Sequence, residues 1–343
     1  QKILFTSAKS DPHPLDWDRI LLQGAGANSS IIKYCIIEYG RVGVSFENTN
    51  AGISFSTIRY CHRSGISLEP ANSRIENNII HDIVNEGIYI HSGNPIIKNN
   101  MIYNNITGLC TDFANSLITN NVIYNNKTYG IDNRGADSQG AISKIINNTL
   151  DGNGILGTGS FGANINCDNS SPIIKNNIIT NSTNDVGAGH GAGIRATSGG
   201  HPQISHNDVW NNAGGNYTVY LSGTCAAGIG DISSDPLFNN RLIGDYHLSN
   251  SSPCLGKATP FEAPIEDYEG TKRGNPPDMG ALENIADGDQ SLPVTLSSFK
   301  AELFDDYVMI YWTTESEINN LGFEIYRRSE KEMEFCILSS YKN

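Results

Sequence analysis

Four titratable residues stand 21 or 22 positions apart along the chain: Glu69, His91, Asp112 and Arg134, with Asp132 two residues before the last. A carboxylate, an imidazole and a guanidinium brought to one place could supply a general acid, a general base and a charge clamp. Two carboxylates, Asp112 and Asp132, could instead hold calcium, which takes oxygen ligands. All of this requires an element that returns the chain to the same spot at that interval.

Near copies of one phrase supply such an element: PIIKNNMIYNN from Pro95, SLITNNVIYNN from Ser116 and SPIIKNNIITN from Ser171. Aligned on their first apolar anchor, the copies run Ile32, Ile53, Ile75, Ile97, Ile118, Ile145, Ile174 and Ile204. A second anchor follows five residues later at Ile37, Ile58, Ile80, Ile102, Ile123, Leu150, Ile179 and Val209. A fixed period that later swells by insertion marks a solenoid. Between the anchors stand Asn78, Asn100, Asn121, Asn148, Asn177 and Asn207, with Cys35 and Ser56 in the first two repeats. Asparagine accepts left-handed backbone and bonds backbone groups above and below it, so this column predicts an internal ladder at a tight bend.

A third run usually opens on glycine: GVSFE at Gly43, GISLE at Gly65, GIYIH at Gly87, GLCTD at Gly108, GIDNR at Gly130 and GIRAT at Gly193. Three strand-length runs per repeat of about 22 residues exclude a helical repeat. Side chains alternate along a strand, so Ile88 and Ile90 point inward while Tyr89 and His91 point outward. Extending that register predicts one outward column of Ser45, Ser67, Tyr89, Cys110, Asp132, Asn164 and Arg195. The second is Glu47, Glu69, His91, Asp112, Arg134, Asn166 and Thr197. Successive members would stand roughly 4.8 Å apart. The candidate catalytic residues are therefore His91, Asp112, Asp132 and Arg134, and the candidate substrate-binding residues Glu69, Tyr89, Asn164, Asn166 and Arg195. A row of alternating charge can also serve only as a solvated face with weak ion pairs.

Composition narrows the partner. The chain has 343 residues, with 23 Lys and Arg against 36 Asp and Glu, a net charge of -13. That field repels a nucleic-acid backbone, and repels an acidic glycan unless a basic patch or a bridging calcium ion reverses it. Seven cysteines without CxxC spacing signal neither a zinc site nor a dense disulfide framework, and Cys225 with Cys254 is the pair to test for a bridge. No apolar run is long enough to span a bilayer. KILFTS, at the start, reads as the interior of a strand, which implies a removed leader or a start within the solenoid.

These repeats resemble the right-handed parallel β-helix, pectin-lyase-like family, over residues 1 to 284. The resemblance implies an all-β solenoid and a polysaccharide bound, or degraded by a lyase or glycoside hydrolase, in a groove over the third-strand sheet. In lyases of that fold an Arg or Lys removes the proton beside a metal-neutralised uronate, which would make Arg134 the base and Tyr89 or His91 the acid. These roles transfer by position, because the extended pectate lyase signatures and polygalacturonase Asp pairs are absent. The alternative is a non-catalytic adhesin or structural spacer, and a monomer is expected in either case. Three Gly-rich insertions, RGADSQGAIS, DGNGILGTGSFG and TNSTNDVGAGHGAG, are expected to wall the groove as loops.

The solenoid coils are expected over 1–222, with terminal coils and a cap over 223–284, where DPLF, SSPCLG and DMGALE resemble the closing coils of secreted β-helix proteins. Asp278 and Glu283 then read as cap residues. A linker over 285–293 leads to 294–343, where LPVTLSSFKA, IYWTTESEINN and GFEIYRR resemble the fibronectin-III-like module of type IX secreted proteins in Bacteroidota. That resemblance implies a partial β-sandwich and a secreted or cell-surface protein.

Overall fold

Each repeat lays one strand on each of three parallel sheets. The computed structural model describes residues 2–135, 142–155, 162–183 and 191–285, and the strands within 296–342. The first sheet stacks eight strands from Ile31–Lys33 to Gln203–Ser205. The second stacks nine from Ile3–Phe5 to Asp208–Trp210, and the third nine from Ile20–Gln23 to Tyr217–Tyr220. Both anchor columns lie in register: Ile53 faces Ile75 in the first sheet, and Ile58, Ile80 and Ile102 face one another in the second. With Val44, Ile66, Ile88, Leu109, Ile131, Ile165 and Ile194 of the third sheet, they form one buried core.

The asparagine ladder fixes that register. The Asn121 main-chain N–H donates to Asn148 Oδ1 at 2.9 Å, and its Nδ2 donates to the carbonyls of Ile97 and Thr119 and again to Asn148 Oδ1 at 2.9, 3.0 and 3.0 Å. Ser56 continues the column, accepting from the Cys35 N–H and donating its own N–H to Asn78 Oδ1, both at 3.1 Å. The left-handed backbone expected at these asparagines belongs instead to the residue before each: Asn77, Asn99, Asn120, Asn147 and Asn176 have φ of 58°, 55°, 54°, 51° and 60°. The first asparagine of the doublet turns the chain, and the second bonds the coils. A second interior ladder runs from Asn105 to Asn126 and Asn153, each N–H donating to the next Oδ1 at 3.0 Å.

The segment after Val209 closes the coil and then wraps its flank. Asp231 ends the ladder, accepting the Asn207 N–H at 2.7 Å, while the Ile232 N–H donates to the Asn207 carbonyl. Beyond it, Tyr246, Leu248, Cys254, Met279 and Leu282 pack against Val122 and Ile178 on the outer face of the second sheet. Arg273 and Glu283 pair at 2.9 Å inside this wrap, and Arg273 Nη2 donates to Asn120 Oδ1, so Glu283 is a structural carboxylate. Cys225 and Cys254 are not bridged: both are free, Cys225 Sγ donating to the Ile194 carbonyl and Cys254 Sγ to Asp208.

The chain divides into two compact units, Gln1–Asn284 and Ile285–Asn343. In the second, Leu296–Leu303 pairs antiparallel with Val308–Thr314, and Gly322–Arg327 with Cys336–Lys342. These hairpins are the strands of a partial sandwich.

Two measurements follow from the packing of the solenoid. Asn121→Ala leaves buried N–H and carbonyl groups of the flanking coils unsatisfied and should lower unfolding free energy by about 3 kcal/mol in chemical denaturation. Burial pushes the fully buried Asp208 carboxyl up from 3.8 to about 6. A carboxyl raised on folding stabilises below its unfolded value and loses that contribution as pH rises through the folded one. Stability should therefore fall between pH 4 and 6 by about 1–3 kcal/mol, and Asp208→Asn should flatten that fall. An unchanged pH profile in the variant would remove Asp208 as its source.

Candidate functional site

Register on the third sheet decides which residues meet. Tyr89, Cys110, Asp132, Asn166 and Arg195 stand opposite one another in succession, as do His91, Asp112, Arg134, Asp168 and Thr197. Asn164 does not belong to the outward face. Ile165, not Ala163, pairs with Ile131, so Asn164 occupies the inward place that glycine holds in neighbouring coils. Its side chain accepts from Asn153 at 2.7 Å and donates to Asn212 at 2.9 Å, inside the coil. Asn166 accordingly moves to the first column, and Asp168 takes its place in the second.

Four members of the cluster form a continuous chain of hydrogen bonds across three strands. Arg195 Nε donates to Asn166 Oδ1 at 3.0 Å, and Asn166 Nδ2 donates to Asp132 Oδ1 at 2.8 Å. Arg134 Nε donates to Asp132 Oδ2 at 2.7 Å, and its Nη2 pairs with the same oxygen. Arg195 also donates to the Tyr129 hydroxyl at 2.9 Å. Asp132, Asn166 and Arg195 are only 1, 3 and 2% exposed, so Asn166 and Arg195 brace Asp132 rather than meet a polymer.

What faces solvent is a smaller set. His91 and Arg134 are exposed, and Glu69, Tyr89 and Asp112 are half-buried. The Tyr89 hydroxyl donates to Asp112 Oδ2 at 2.9 Å, and Ser67 donates to Glu69 Oε1 at 3.1 Å. Burial, and then the Asp112 carboxylate, push the Tyr89 phenol up, so it keeps its proton. Burial works against the Arg134 charge, but the Asp132 carboxylate more than offsets it and raises the guanidinium above its ordinary value. A side chain so held is a charge clamp and a poor base. Burial pushes the Asp132 carboxyl up against the opposing pull of Arg134.

Calcium does not suit this donor set. Both Asp132 oxygens are taken by Arg134 and Asn166, and an ion shared with Asp112 would have to displace them. Among the described residues, no group of three or more His, Cys, Asp or Glu is placed to hold a metal ion.

Two residues on this face escape the alternation rule. The missing Cβ of Gly87 would lie 3.0 Å from Asn105 Nδ2 and from the Ile102 side chain, so the glycine faces the interior. The residue before it thereby returns to the outer face, which accounts for Glu86 and, one coil beyond its neighbour, Tyr129. Burial pushes the Glu86 carboxyl up. The signal is the glycine that opens each third run: two consecutive inward residues there shift the parity of whatever precedes them. The three insertions expected to wall the groove fall largely at 136–141, 156–161 and 184–190, outside the described residues.

A family model described as a right handed beta helix region matches residues 18–150. The fold is a right-handed parallel β-helix. The crystal structure of pectate lyase Pel9A aligns at a TM-score of 0.48 and 12% identity, covering 83% of this chain and 86% of that one. The catalytic unit of a thermostable GH87 alpha-1,3-glucanase from Streptomyces thermodiastaticus strain HF3-3 aligns at 0.34 and 14% identity, over 62% of this chain and 50% of that one. A search of curated proteins found no match.

Replacing Asn166 tests the buried chain of this β-helix. Asn166→Leu separates Asp132 from Arg195 and leaves buried charge without its bridge. The expected loss is about 2–4 kcal/mol of unfolding free energy, whereas a loss no larger than that of an ordinary surface substitution would show that the chain braces nothing.

Proposed function

We propose that the protein binds a polysaccharide along the outer face of its third sheet and acts on it at the cluster of Glu69, Tyr89, His91, Asp112 and Arg134. One observation carries this reading. The exposed Arg134 is fixed from behind by a fully buried Asp132, itself held by Asn166 and Arg195. Burying charged groups in this way is costly to stability. A buried brace behind an exposed guanidinium is what preorganised recognition requires, since a clamp that is already oriented loses little on binding.

Within that reading, Asp112 is the base and Arg134 orients the substrate through its hydroxyls. Elimination with Arg134 as base has little support, because Asp132 holds the guanidinium protonated. Cleavage by water, with Asp112 activating the water and His91 on the adjacent coil protonating the leaving oxygen, suits the donor set better. The same reading puts the protein outside the cell, as the resemblance of LPVTLSSFKA, IYWTTESEINN and GFEIYRR to a fibronectin-III-like module of type IX secreted proteins suggests.

The test is a screen of neutral and acidic glycans that follows retention on glycan-containing gels, reducing ends and unsaturated product. Asp112→Asn keeps hydrogen-bonding capacity and Arg134→Lys keeps a positive charge beside the buried Asp132, so thermal unfolding should move little, while turnover should fall by about tenfold or more. Reducing ends without unsaturated product would mark hydrolysis. Full activity in both variants would show that the cluster is not the site, and silence from every glycan would leave the solenoid as a spacer.

A further inference from the structure

The rim of the third sheet, one residue beyond the second outward column, is a row of left-handed positions. Asn48, Ser92, Phe113, Gly135, Asn169 and Ser198 have φ of 52°, 63°, 53°, 63°, 49° and 54°. Asparagine and glycine suit that backbone, and a bulky ring there is an outlier that costs conformational energy. Two other left-handed aromatic residues rest on the ring of the next coil: Tyr34 stacks on Phe55 and Tyr39 on Tyr60, each at 5.5 Å between centroids. Phe113 is followed at the next coil by Gly135 instead. A Cβ at Gly135 would come 2.6 Å from the Phe113 ring, so the ring lies across the space that any other residue would fill. It meets His91 edge-on at 6.1 Å and 87°, and it remains 40% exposed.

The ring's neighbours define what could lie on it. Asp112 immediately precedes it, and Arg134 stands opposite Asp112 in the register. A pyranose ring presents C–H groups on its faces and hydroxyls at its rim. Its face can stack on an aromatic ring while the hydroxyls reach a carboxylate and a guanidinium. An acidic sugar would meet Asp112 and Glu69 and a chain of net charge -13, with the Arg134 guanidinium already paired to Asp132.

Resting on the glycan reading above, we infer that Phe113 is the stacking platform of a subsite for a neutral hexopyranose unit, with Asp112 and Arg134 bonding its hydroxyls. Gly135 is then a specificity position, because any side chain there would push the ring off its seat.

The test uses the full chain and isothermal titration with soluble glucans, galactans and mannans, with polygalacturonate for comparison. Phe113→Asn removes the ring but keeps a residue that favours left-handed backbone, so thermal unfolding should be preserved. Its affinity for the neutral glycan should fall about three- to tenfold, while Phe113→Tyr should stay close to the unmodified protein. Undiminished affinity in Phe113→Asn would overturn the platform and leave the glycan-binding face standing. Preference for polygalacturonate would overturn the neutral substrate class, and failure of the unmodified protein to bind any glycan would overturn both readings together.

Discussion

The structure depends on one repeated interaction: a buried asparagine amide that donates to carbonyls of its own coil and of the coil below, and to the side-chain oxygen of the asparagine above. This solenoid has strands of three residues in its first two sheets, four at Cys35–Glu38, too short to fix their own register by side-chain packing alone. The ladder does so because a slip of one residue would leave an amide and several backbone groups unpaired in a dry interior, where each unmade bond costs about 1–3 kcal/mol. The isoleucine columns then fall into place on either side of it. Ser56 at the start of the column and Asp231 at its end show that the requirement is for an acceptor of the right reach, since both serve where asparagine is absent.

That constraint reaches the candidate site. Columns on the outer face are set by the same register, so the cluster of Glu69, Tyr89, His91, Asp112 and Arg134 is assembled by a ladder on the inside. Where the ladder recruits a new member, the outer face changes with it. Asn164, drawn inward to bond Asn153 and Asn212, vacates the surface and brings Asn166 opposite Asp132. The buried chain from Arg195 to Arg134 exists only because of that shift.

The C-terminal wrap has a different physical task. The outer face of the second sheet carries Val122 and Ile178, apolar groups that a bare solenoid would expose, and the wrap covers them with Tyr246, Leu248, Met279 and Leu282. The third sheet is thereby distinguished from the second by chemistry: one carries an apolar cover, the other presents charged and aromatic groups to solvent. The aromatic residues at left-handed bends show the same division, stacked in pairs where they hold coils together and single at Phe113 beside Asp112.

The coil was written in the repeats. Its period, the two anchor columns, the asparagine ladder and the inward and outward parity of the third run up to Arg134 were all legible, because they are local patterns repeated at a fixed interval. Glu69, His91, Asp112 and Arg134 could be aligned for that reason. After the insertions Arg195 and Thr197 kept their expected columns, but the places of Asn164, Asn166 and Asp168 were set by tertiary packing. Beyond Arg134 the interval is lost, and pairing Ile165 with Ile131 is a matter of core packing that Ala163 could have mimicked. The parity of Glu86 and Tyr129 was hidden because a glycine turned inward looks the same in sequence as one turned outward. The free state of Cys225 and Cys254, and the folding of 235–284 along the flank, were equally out of reach. They depend on which distant surfaces meet, and no repeating pattern encodes that.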